Sequence, residues 1–123
     1  MPQPQVVQDA RGELRVPARL HIELLVDAET SSSTGNTINI SSNGVYFTSS
    51  RYLEPLTVLG MRLLLPGEEG DGTAEAFDVR GVVVRVDPEQ PSARVESYEV
   101  ACYFLETTPE FRERLGRYVQ SHL

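Results

Sequence analysis

Two short runs in this chain carry side chains suited to anions and planar rings. The first is Arg11-Gly12-Glu13-Leu14-Arg15. It lies ahead of the first strand-like segment and is broken by a glycine, so two guanidiniums can close on one ligand from a movable arm. The guanidinium fork grips phosphate oxygens in pairs and also fits the O6/N7 edge of guanine. The second run is Asn39-Ile40-Ser41-Ser42-Asn43-Gly44. Asn39 and Ser41 alternate with Ile38 and Ile40, which places an amide and a hydroxyl on one face of a strand. Both can hydrogen-bond a flat polar ring. Gly44 lets the backbone turn sharply. Taken singly, each run has a plainer reading: solvated arginines loosely paired with Asp9 and Glu13, and a hairpin turn with polar capping residues.

The elements that must hold these runs follow from periodicity. Residues 1–9 are polar, bear Pro and Gln, and read as a flexible tail, with one domain over 10–123. Val16, Ala18, Leu20, Ile22, Leu24 and Val26 alternate with Arg19, His21 and Glu23, the pattern of one half-buried strand. Thr30 to Asn36 reads as a loop by composition. Ile38–Ser41 and Val45–Thr48 read as short strands around Ser42-Asn43-Gly44, where Asn-Gly signals a turn with positive φ. Gly60–Leu65 is a strand stopped by Pro66 and the glycine-rich stretch up to Thr73. Phe77–Val86 is a dense, buried strand in which Gly81 marks a bend or bulge. Asp87 to Ser97 is a connection, and Tyr98–Leu105 is the last strand. Thr108-Pro109 then starts a helix, with Phe111, Leu115, Tyr118 and Val119 on one face. Short strands separated by turns predict an antiparallel sandwich or barrel closed by this helix.

Composition bounds the function classes. The chain has 123 residues, enough for one core. No apolar run reaches the roughly 20 residues of a membrane span, and the N-terminus lacks the features of a signal peptide. A single cysteine, Cys102, forms no internal disulfide and fits a cytoplasmic setting; its place among apolar neighbours predicts a buried side chain. With two histidines and that cysteine, a zinc site lacks ligands, and no metal is expected. No nucleophilic triad or carboxylate pair is identifiable, so no catalytic residue is assigned and no enzyme is expected. The net charge of -7 argues against a nucleic-acid polymer as partner. All eleven basic residues are arginine, and residues 1–26 are neutral while the remainder carries the whole negative charge. An anion therefore meets least repulsion near the N-terminal segment. Arg85, at the end of the dense strand, is either structural or on a ligand face.

In this order the two runs, R-x-x-x-R and N-x-S-x-x-G with a strand between them, resemble the signature of PilZ domains, bacterial receptors for cyclic di-GMP. The resemblance extends over about residues 10–120. "RVPARLHIELLV" resembles the family's first strand, "TINISSNGVYF" its second motif, "LGMRLLLP" and "VRGVVVRV" its middle strands, and "VACYFLETTPEFRERLGRYV" its last strand and closing helix. It implies a mainly β fold, a six-stranded antiparallel β-barrel with a C-terminal α-helix. It further implies cyclic di-GMP on the barrel surface beneath the arginine arm. Arg11 and Arg15 would grip phosphate and guanine, Asn39 and Ser41 would bond a guanine edge, and Gly44 would keep the turn. Arg19, Ser42 and Asn43 are auxiliary candidates. Arg15 to Arg19 is also R-x-x-x-R; the Arg11/Arg15 register is preferred because the family places Val-Pro after the second arginine. Ala10, where some relatives have a further arginine and take an intercalated ligand dimer, points to a single bound molecule. The implied mechanism is ordering of the arm on binding. The implied output is to a protein partner, in motility, biofilm formation or polysaccharide synthesis, without membrane insertion. The other reading is a PilZ-like adaptor related to type IV pili that binds no nucleotide. Such proteins usually lack the arginine motif; Glu13, an acid between the two arginines, is the feature that favours this reading.

Overall fold

A computed structural model describes residues 7–8, 14–25, 32–67 and 72–123. Its elements are β1 (Val7–Gln8), β2 (Leu14–Pro17), β3 (His21–Leu25), β4 (Ser32–Ile40), β5 (Gly44–Ser49), β6 (Val58–Pro66), β7 (Ala74–Asp87), β8 (Tyr98–Leu105) and α1 (Pro109–Ser121). Strands β3 to β8 pair antiparallel in the order β4-β3-β6-β7-β8-β5, and a β5–β4 pairing closes them into a six-stranded barrel. Strand β2 lies on β4 beyond β3, and β1 lies on β2. The barrel and its helix are those expected from the sequence. Closure removes the free edges that an open sheet would present.

Alternation decides what fills the barrel. Val16, Ala18, Leu20, Ile22 and Leu24 all point inward, and they meet Ile40, Val45, Phe47, Met61, Leu63, Val83 and Val100 in one core. Cys102 is buried among them, as its neighbours predict. Helix α1 lies against β2 and packs side chains onto β7 and β8. Thr108 caps it by accepting from the Phe111 amide at 3.2 Å, and Pro109 takes the first turn. The Phe111 ring lies 5.4 Å from that of Phe77 and 5.3 Å from that of Phe104. Arg114, also buried, donates to Glu75 at 2.9 Å and to the Pro66 carbonyl.

Four expectations are corrected. Val7 and Gln8, assigned to a tail, pair with Arg15 and Leu14. Ser32 to Asn36, assigned to a loop, are strand and pair with His21–Leu25; partners across the sheet override a polar composition. The β7 irregularity falls between Val83 and Arg85 and not at Gly81. Gly81 instead makes room for the Met61 methyl, which a Cβ would strike, and for the Tyr103 carbonyl, which it would crowd at 3.1 Å.

Finally, the single strand expected over 16–26 is interrupted after Pro17. Between the Pro17↔Asn39 and His21↔Asn36 pairs, three residues face two. The buried Thr37 fills the mismatch: its Oγ1 accepts from the Leu20 amide at 2.7 Å and donates to the Ala18 carbonyl at 2.6 Å. A side chain thus replaces a ladder rung. Thr37→Val keeps the shape but leaves both backbone groups unpaired, so it should destabilise the fold by about 2–4 kcal/mol. Urea unfolding checks this, with an unchanged midpoint as the contrary result.

Candidate functional site

The second motif builds a hairpin corner. The Ser41 amide donates to the Gly44 carbonyl at 2.9 Å, closing the turn between β4 and β5. Ser41 Oγ accepts from the Asn43 and Gly44 amides, each at 3.2 Å, and the side chain is fully buried. The expectation that Ser41 faces a ligand beside Asn39 is therefore corrected. Strand alternation ends at Ile40, and the hydroxyl turns inward to satisfy backbone donors. Ser42 and Asn43 are exposed at the corner, and the Asn43 carbonyl accepts from the Phe104 amide at 2.8 Å. The positive-φ residues among those described are Leu56, Glu106 and Gly72, so neither Asn43 nor Gly44 uses that region. Gly44 is required for space: a Cβ there would overlap the Cys102 carbonyl oxygen of β8.

Asn39, by contrast, lies on the outer face of the barrel. A register shift between Thr37 and Asn39 lets Thr37 and Ile40 both point inward while Asn39 points out. Its Oδ1 accepts from Arg15 Nη1 at 3.3 Å, which joins the two motifs across 24 residues of sequence. Arg15 is itself part of β2 and not of an arm preceding the strands. Both side chains line a groove of about 520 Å³ that crosses β2, β4, β5, β8 and β7. Tyr46 and Tyr103 stand between its walls, and Val84 and Arg85 form the far side. The β7 irregularity explains this placement. Val83 and Val86 are buried, so Val84 and Arg85 between them both face outward.

The groove's electrostatics favour an anion. Arg85 has no carboxylate partner among the described residues; it lies against the Tyr46 hydroxyl and opposes the rise in that tyrosine's pKa. Burial chiefly, then Glu99, raises the Tyr46 pKa, and the phenol donates to Glu99 at 2.9 Å. It is thus a neutral donor with an aromatic face. Burial pushes the Cys102 thiol, whose residue borders the groove, up to about 12, so it is no nucleophile at neutral pH. A second groove of about 430 Å³, over β3, β6 and β7, is different. Its arginines are answered by acids: Arg62 lies 2.8 Å from Asp78, which it holds below the usual carboxylate range, and Arg80 lies 3.4 Å from Glu106.

Of the residues singled out in the sequence, Arg15 and Asn39 meet in the groove, while Ser41 and Gly44 shape the corner beside it. Arg19 is exposed on a neighbouring shelf, and Arg11 lies outside the described residues. His21 is exposed on β3, 3.9 Å from Glu23, away from the groove. The groove adds Tyr46 and resolves Arg85. Alternation alone marks Tyr46 as outward-facing, but nothing local joins either residue to Arg15.

The sequence matches the family model described as PilZ domain over residues 9–121. The chain belongs to the PilZ domain family. Solved structures agree on the fold. The Bacillus subtilis inhibitor of motility MotI/DgrA superposes with a TM-score of 0.74 at 17% identity, over 92% of this chain and 51% of that one. The PilZ domain of Escherichia coli YcgR, solved with c-di-GMP, gives 0.67 at 14% identity, over 93% of this chain and 92% of that one. The K. pneumonia MrkH–c-di-GMP complex gives 0.66 at 18% identity, over 94% and 52%. This PilZ domain spans about half the length of MotI and MrkH. No curated protein matches the sequence. No helix among the described residues of the PilZ domain is long and apolar enough to cross a membrane.

Proposed function

We propose that this PilZ domain binds cyclic di-GMP in the groove of Arg15, Asn39, Tyr46 and Arg85, and that occupancy is read by a protein partner. The observation that carries the reading is the Arg15–Asn39 hydrogen bond, which sets the two motif residues in one groove with Arg85 on the opposite wall. Two guanidiniums suit the ligand's phosphodiesters, the amide suits a guanine edge, and the tyrosines offer faces for a purine. Arg11 closes on the ligand from the segment before β2. Ser41 and Gly44 act indirectly, by fixing the corner from which Asn39 and Tyr46 project. The groove binds and does not catalyse; the signal is the surface made by ligand and arm together.

Calorimetric titration of cyclic di-GMP into the protein should give saturable heat. Asn39→Ala should weaken binding about tenfold, the scale of a lost hydrogen-bonded edge. It should also narrow the preference over cyclic di-AMP, because the amide reads the base. No heat from the wild-type protein, with an unshifted melting temperature, overturns the receptor reading. Binding by Asn39→Ala with its preference intact overturns the role of the amide.

A further inference from the structure

Next to the groove, on the same outer face, lies a second, shallower basin of about 520 Å³. It is bordered by Pro17, Arg19, Asn36, Ile38 and Thr48. The two basins follow one another along the strands. Arg15 and Pro17 alternate on β2, Asn39 and Ile38 adjoin on β4, and Tyr46 and Thr48 alternate on β5; the Pro17↔Asn39 pair marks the boundary. Two residues along a strand span about 6.6 Å. One small molecule therefore reaches across both.

The second basin has its own chemistry. Pro17 and the half-buried Ile38 form an apolar shelf. Ile38 reaches the surface because it sits in the β4 register shift between Thr37 and Asn39. Arg19 stands exposed at the rim and forms no ion pair among the described residues. Thr48 pairs across the sheet with Glu99, whose carboxylate accepts from the Tyr46 hydroxyl. An apolar shelf with an exposed guanidinium beside it suits a planar ring carrying an anionic group. Cyclic di-GMP has two identical halves. When one guanine lies by Asn39, the adjoining basin is within reach of the other half.

We infer that this basin receives the second nucleotide half of a cyclic dinucleotide, and that Arg19 sets the preference for two-base over one-base ligands. The inference rests on the cyclic di-GMP reading above and extends it to a residue outside the groove. The test uses the full chain and two probes, cyclic di-GMP and GMP, with amide chemical shifts followed by NMR. Arg19→Ala, an exposed substitution, should weaken cyclic di-GMP about tenfold, as expected for a lost charged hydrogen bond. Its response to millimolar GMP should match the wild type within about twofold, the scale of a surface change. In the wild type, cyclic di-GMP should move the amide signals of Asn36, Ile38 and Thr48, and GMP should leave them in place. Equal loss for both ligands, no loss for either, or unmoved signals at those three residues overturns the inference while the receptor reading stands. A wild-type protein that answers neither probe overturns both.

Discussion

Arg15→Ala should lose cyclic di-GMP affinity by about a hundredfold or more, while the protein should melt within about 2 °C of the wild type. The two halves of this expectation have separate causes. The Arg15 side chain is half-buried on the outer face, and its one described hydrogen bond, to Asn39, spans 3.3 Å. Removing it opens no core cavity, and water replaces the guanidinium at Asn39. The proposed ligand would lose a forked, charged donor for a phosphate or a guanine edge, and such bonds are worth about 1.5–3 kcal/mol each. Two together give the hundredfold. Arg15→Lys keeps the charge and loses the fork, so its affinity should fall between the two. Titration calorimetry with melting curves reads both quantities. Unaltered affinity in Arg15→Ala would sink the assignment of Arg15, and a collapsed melting curve would show that the residue serves the fold.

Gly44→Val, in contrast, should cost about 3 kcal/mol or more of stability. Strand β5 is hydrogen-bonded on both sides, to β4 and β8, and Gly44 lies directly opposite Tyr103. A Cβ would overlap the Cys102 carbonyl and come within 3.3 Å of the Tyr103 ring. Neither neighbour is the free end of a side chain, so the clash moves backbone. The neighbouring Asn43→Ala is the control. Asn43 is exposed, and it holds Phe104 through its carbonyl and not its side chain, so the change should stay within about 0.5 kcal/mol. Urea unfolding of the two variants measures the contrast. Equal midpoints would mean that the close approach at Gly44 relaxes cheaply.

The legible parts of this molecule are those in which local signals agree. Thr108-Pro109 followed by apolar residues at helical spacing specifies α1 without help from the sheet. Val16 to Leu24 alternate strictly, and every inward residue is buried even though the strand is broken. Composition fails where pairing decides. Ser32 to Asn36 hold nothing apolar, yet a neighbouring strand fills their ladder. The site divides the same way. Arg15 and Asn39 lie in recognisable runs, whereas Tyr46 and Arg85 come from strands that meet only when the barrel closes. Ser41 shows the limit of reading a face from alternation: one residue past the strand end, the side chain answers to the turn.

One feature of β2 bears on how occupancy becomes a signal. It meets the barrel through two paired positions on β4, and one of them is Pro17, which has no amide to donate. The closed strands beside it share five or more pairs with a neighbour; β3 and β4 do so from His21 to Leu25. The seam between β2 and β4 is thus short, and Arg15 is carried on the strand that it holds. A ligand held by Arg15 and Asn39 together, as proposed, would clamp both sides of that seam. Under the proposed function, ligand binding would act as a latch: it would oppose local opening of β2, and a partner would need only to distinguish a fastened edge from a fraying one.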